Sequence, residues 1–197
     1  MNNSIKSAEL LFNLTKDVNR LIEICKHYFL FSSTDVINKK HPNEDWSIAD
    51  CVEHLNEFCV YYIPQLELVV EKGIQQNILP EENFSSNQMG TEAIMSVHPQ
   101  NLPTMKTMGH FHGRDMGGEN NNLVIQNYMD FQNRLLIVLE KAQKTSLTQI
   151  LVPVKNRKEW QLQLGDCLQY LIGHQILHSL QAIKLHEQLS PLTSSTI

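Results

Sequence analysis

Two histidines one helical turn apart, His174 and His178, are the residues of this chain whose type and spacing best suit chemistry. Neutral imidazole is the commonest metal ligand in proteins. Side chains at positions i and i+4 share one face of a helix, about 6 Å apart along its axis, so one ion can contact both. A third histidine, His54, closes the segment Trp46-Ser-Ile-Ala-Asp-Cys-Val-Glu-His54 far upstream. If His54 lies on a facing helix, three ligands would leave coordination positions open, which is the arrangement of a catalytic metal site.

The surroundings of these histidines are apolar. His174 and His178 belong to a stripe that consists of Leu164, Leu168, Leu171, His174, His178, Gln181 and Leu185. Polar rings buried on such a stripe cost about 1–3 kcal/mol each unless they find a hydrogen-bond partner or a metal. The alternative interpretation is three unrelated core histidines, each satisfied by the protein itself. Spacing and placement alone leave both interpretations open.

Carboxylates near His54 are candidates for a general base. Glu57 lies one turn beyond His54 and could orient a ligand or accept a proton from metal-bound water. Glu53 and Asp50 are nearby rivals, and a solvated helix face is the alternative for all three. Glu57 is therefore the predicted catalytic residue.

Composition narrows the class of protein. A chain of 197 residues with 42% hydrophobic residues suggests one domain with a real core. The net charge of −5 and the absence of a large basic patch argue against nucleic acid as the main partner, and the short basic segments 38–41 and 155–158 are expected to be solvated. Four cysteines without metal-ligand spacing, no signal-peptide pattern and no apolar run of about 18 residues predict a soluble, cytoplasmic protein with no membrane partner.

Hydrophobic periodicity predicts four long amphipathic helices, at about 4–31, 48–72, 123–144 and 164–188, and hence an all-α bundle. Ser47-Ile-Ala-Asp50 resembles a capping box at the start of the second helix, and Pro64 should kink that helix. Residues 150–154 could form a short extended segment. We expect one domain over 1–189 and a flexible tail over 190–197.

The connection at 73–122 is unusually long, rich in glycine and without sustained periodicity. Such a connection is usually functional or disordered, and it would let the second and third helices run parallel. We predict that it shapes the mouth of the metal site, where Lys106, His110, His112 and Arg114 could meet an anionic group of a substrate. A disordered surface insertion is the alternative. Direct metal ligation by His110 and His112 is a further, less favoured interpretation.

The histidine motifs resemble those of the DinB-like (YfiT-like) proteins. The segment Trp46 to His54 is similar to the second-helix motif of that family, and His174-x-x-x-His178-x-x-Gln181 is similar to its last-helix motif. The order of the motifs and the long connection after the second helix also fit. The resemblance implies an up-down-down-up four-helix bundle with a long crossover between helices 2 and 3, homodimerisation, and a divalent metal held by His54, His174 and His178. Zinc and nickel are the first choices for that metal, and iron and manganese would also fit.

The resemblance also implies a class of activity. Characterised members of the family include thiol S-transferases, which join a low-molecular-weight thiol to an electrophile, a related isomerase, and proteins described as metal-dependent hydrolases. Three neutral imidazoles would leave the charge of the metal uncompensated, so bound water or a bound thiol would lose its proton near neutral pH. We expect a metal-dependent transferase or hydrolase that acts on a small molecule. The alternative is a non-catalytic helical dimer with a structural or vestigial metal site, because fold does not imply function.

Overall fold

The computed structural model describes residues 4–42, 44, 46–100, 121–155 and 157–190. Its helices are α1 (Ser7–Ile24), α2 (Thr34–Asn38), α3 (Ile48–Gln75), α4 (Gln88–Ser96), α5 (Asn121–Ala142) and α6 (Leu164–Leu189). A π-helical segment, Cys25–Phe29, continues α1. In the described ranges the strands form two short antiparallel pairs, β1 (Ile5–Lys6) with β2 (Asn83–Phe84) and β3 (Leu151–Val154) with β4 (Arg157–Gln163). The prediction of a mostly helical protein is confirmed.

The four long helices occur where the hydrophobic periodicity predicts them, and their packing defines the core. Helices α1 and α3 each contact both α5 and α6. Each long helix contributes fully buried apolar side chains, among them Val18, Leu55, Leu135 and Leu171. Burying one such side chain is worth about 1.5–3 kcal/mol, so the amphipathic faces hold these helices together.

The start of α3 is held by the predicted capping box. The Ser47 hydroxyl accepts a hydrogen bond from the Asp50 amide at 3.1 Å, and the Asp50 carboxylate accepts one from the Ser47 amide at 2.8 Å. Two amides that the helix itself leaves unpaired are thereby satisfied. Helix α3 then continues through Pro64 to Gln75. The box determines where the helix begins, and so where its residue His54 lies.

Several elements differ from the sequence prediction, which did not include α2, α4, β1, β2 or β4. Helix α1 begins at Ser7 and not at Ser4, because Ile5 and Lys6 pair with β2. The connection after α3 contains α4, which packs on α6 and begins where the Asn87 side chain accepts a hydrogen bond from the Gly90 amide at 2.8 Å. Nine residues with a glycine in the first turn are too short a pattern for periodicity to detect.

Some predictions fall on residues outside the described ranges. These are the four side chains expected at the mouth of the site, Lys106, His110, His112 and Arg114, and the tail at 191–197. Across the described ranges, no helix combines the length and the apolar character needed to cross a membrane.

We predict that Gly90→Ala destabilises the protein, because α4 lies very close to α6 at this glycine. A Cβ atom there would overlap the carboxylate of Asp166, a residue that is fully buried and so has little room to move. Overpacking of this kind costs about 1–3 kcal/mol in the free energy of unfolding, measurable by urea denaturation. The exposed neighbour Glu92→Ala should change it by less than about 0.5 kcal/mol. Wild-type stability in Gly90→Ala would contradict this account of the α4–α6 contact.

Candidate metal centre

Three histidines from two helices converge between α3 and α6. The Nε2 atom of His54, on α3, lies 3.2 Å from the Nε2 atom of His174, on α6. Each of the three residues contributes one ring nitrogen, and these three nitrogens lie within 4.8 Å of one another. The residues are His54, His174 and His178. The structure therefore brings together the three histidines that the sequence singles out as metal ligands.

The separation of these nitrogens fits ligation of one ion. Imidazole nitrogens lie about 2.0–2.1 Å from zinc, so two of them on one ion are about 2.8–3.4 Å apart for bond angles between 90° and tetrahedral. The observed 3.2 Å between His54 and His174 falls within that range. The three histidines could hold a metal ion, and imidazole ligands suit zinc, nickel and iron alike.

Burial keeps the three imidazoles neutral. Burial, with a smaller contribution from the charges of His178 and Lys155, lowers the pKa of His54 to about 3. Burial also lowers the pKa of His174 well below its ordinary value, and it lowers the pKa of His178 against the opposing effect of a hydrogen bond to Gln181. Metal ligands must be unprotonated, so protons do not compete with a metal for this site at neutral pH.

Gln181 orients one of the three candidate ligands. Its side-chain oxygen lies 3.0 Å from Nδ1 of His178. Because an amide oxygen can only accept, Nδ1 carries the proton and Nε2 of His178 is left with a free lone pair for a metal. In contrast, the buried Nδ1 atom of His174 has no hydrogen-bond partner among the described residues.

Aromatic side chains surround the histidines. The ring of Trp46 stacks on His178 with centroids 5.8 Å apart, and the ring of Phe58 stacks on His174 at 4.0 Å. Tyr170 lies on the same side, 6.3 Å from His174. These rings limit the access of water, and a lower local dielectric strengthens every electrostatic interaction at the site.

The candidate bases lie outside this group. Glu57 is exposed, and with Glu53 it lines an open groove of about 640 Å³ between α3 and α5. The three histidines do not line this groove. Asp50 is occupied by the capping box. The role of Glu57 as a general base stays a prediction.

Lys155 lies close to the site, although its sequence context predicts a solvated lysine. Its ammonium is 4.7 Å from the centre of the Phe58 ring and donates a hydrogen bond to the Glu57 carbonyl at 3.3 Å. The turn between β3 and β4 carries it there. No spacing signals this, because Lys155 and Phe58 are far apart in the chain and the hairpin alone brings them together.

Comparison of the chain with protein-family models, curated proteins and solved structures found no match. The argument for a function therefore rests on the site itself.

We predict that His174→Ala removes most of the bound metal, because it leaves two ligands on different helices. The measurement is metal content per chain by elemental analysis after loading and gel filtration. His186→Ala is a matched control, since His186 lies about two turns beyond His178 along α6 and its ring contacts Ser32, outside the group of three. Full metal content in His174→Ala would count decisively against this site.

We further predict that Gln181→Leu weakens metal binding by about 10–100-fold, the usual effect of removing the partner of a ligating histidine. The physical reason is that His178 loses the acceptor that fixes its tautomer. Competition with a chromophoric chelator measures the change in affinity. Gln181→Glu retains an acceptor and should bind metal at least as tightly as wild type. Equal affinity of the leucine variant and wild type would show that Gln181 does not orient His178.

Proposed function

We propose that this chain is a DinB-like, metal-dependent enzyme that acts on a small molecule, as a thiol S-transferase or a hydrolase. Its divalent ion would be held by His54, His174 and His178. The observation that carries the proposal is the convergence of three neutral imidazoles, with the His54 and His174 nitrogens 3.2 Å apart. Three protein ligands leave a coordination position for a reactant, unlike the four of a closed structural site.

The proposal includes a fold. Helices α1, α3, α5 and α6 would form one up-down-down-up bundle within a single domain over 1–189. The support is that α1 and α3 each pack against both α5 and α6. The long chain segment between α3 and α5, which includes α4, has the length that two consecutive parallel helices need.

The residues of the chain have distinct tasks in this proposal. When bound, the ion supplies a Lewis acid that can generate a nucleophile from water or a thiol near neutral pH. Three neutral imidazoles would hold it, those of His54, His174 and His178. Gln181 orients His178, and the aromatic rings limit the access of water to the site. A nucleophilic thiol would have to come from solution, because all four cysteines are buried and burial raises the pKa of each thiol.

The alternative function is a non-catalytic helical dimer with a structural or vestigial metal. Two exposed apolar residues on α3, Val60 and Leu68, lie about two turns apart and would suit a homodimer interface. Homodimerisation is compatible with either function and is part of the proposal, as is a cytoplasmic location, which would keep the four free thiols reduced.

We predict metal-dependent turnover in a screen of small thiols with electrophiles and of small hydrolysable compounds. A chelator should abolish the activity, and the original metal should restore it. His174→Ala should lower kcat/KM by at least about 100-fold, whereas His186→Ala should stay within about threefold of wild type. Stoichiometric metal without turnover of either substrate class would favour the non-catalytic dimer.

A further inference from the structure

We propose that Lys155 recognises the substrate, by binding an anionic group, most simply a carboxylate, on the small molecule held at the three histidines. This inference rests on the proposed function and deepens it, because it assigns a charge to the substrate.

Lys155 is held in place by contacts of its backbone amide and of its ammonium. Its backbone amide donates a hydrogen bond to the Tyr62 hydroxyl at 3.2 Å. Its ammonium lies 4.7 Å from the centre of the Phe58 ring, and that ring centre lies 4.0 Å from the centre of the His174 ring. The ammonium is therefore no farther from His174 than the sum of those two distances. A substrate of a few bonds could contact both the metal position and Lys155.

Lys155 lines the groove between α3 and α5 together with Glu53 and Glu57, but within the described ranges it forms an ion pair with neither carboxylate. None of the ion pairs found in the described ranges involves Lys155, whereas Lys141 and Lys184 each pair with a glutamate. The Glu57 carbonyl accepts one of its N–H groups, and an ammonium has three. At least one donor remains for an acceptor on a ligand.

The ammonium and one candidate ligand lie against the same aromatic ring, because Phe58 contacts both Lys155 and His174. Among the described residues, the group of three histidines contains no carboxylate or thiolate that would balance a bound divalent ion. Two uncompensated positive centres beside aromatic walls favour a ligand with a negative charge.

The test compares two thiols that differ in one group, β-mercaptopropionate and mercaptopropanol. Each is titrated into the cobalt(II)-loaded full-length protein, and binding is followed by the thiolate-to-cobalt absorbance. Wild type should bind the carboxylate about tenfold more tightly than the alcohol, the effect of roughly one charge-assisted hydrogen bond. Lys155→Met should lose most of that preference, whereas Lys155→Arg should retain it.

Arg157→Met is the matched control, because Arg157 belongs to the same hairpin and its guanidinium packs 4.7 Å from the Trp160 ring. It should keep the wild-type preference. Circular dichroism checks that each variant is folded, and Lys155→Gln provides a second neutral variant should the methionine disturb the hairpin.

The outcomes separate this inference from the proposed function. If cobalt and both thiols bind but wild type has no preference, or Lys155→Met keeps it, the role of Lys155 is overturned and the metal site stands. If wild type takes up no cobalt, or its cobalt binds neither thiol, the open metal site is overturned and this inference with it.

Discussion

The burial of three imidazoles between α3 and α6 is the constraint on which the site depends. Each ring has two nitrogens that are shielded from water. A buried polar atom without a hydrogen-bond partner lowers the stability of the fold. In the metal-free protein, one Nε2 of the His54–His174 pair must donate to the other across 3.2 Å, while His178 is satisfied through Gln181. A divalent ion would accept the lone pairs of all three rings at once. Burial makes unpaired ring nitrogens unfavourable. It also keeps the three imidazoles neutral, so that they can bind a metal ion.

Hydrogen bonds donated by backbone amides define where α3 and α6 begin. The capping box begins α3 at a defined residue. Helix α6 lacks a side-chain cap and begins directly after β4. Its first amides, of Leu164 and Gly165, donate to the carbonyls of Ile150 and Leu147 at 2.8 and 3.0 Å. The segment just before β3 thus anchors the helix that carries two histidines, and the hairpin that follows carries Lys155.

With a metal bound, the charges at the site would be mostly positive. Neutral ligands, a bound divalent ion and a lysine that forms no ion pair in the described part of the chain would together make the site positive. Beside aromatic rings, such a charge attracts anionic small molecules. Glu53 and Glu57 line the groove between α3 and α5, and Lys155 lines the same groove while its ammonium contacts Phe58 beside His174.

The sequence by itself determined what is local to one helix. The positions of the four long helices, the capping box and the alignment of His174, His178 and Gln181 on one face all follow from spacings of three or four residues, and the structure agrees with each. Only the tertiary structure decided that His54 meets His174, that Lys155 lies over Phe58, that α4 fits against Asp166 and that Ile5 pairs with Phe84. These contacts join residues far apart in the chain, and their distances depend on how whole helices and hairpins pack, which no short-range spacing records.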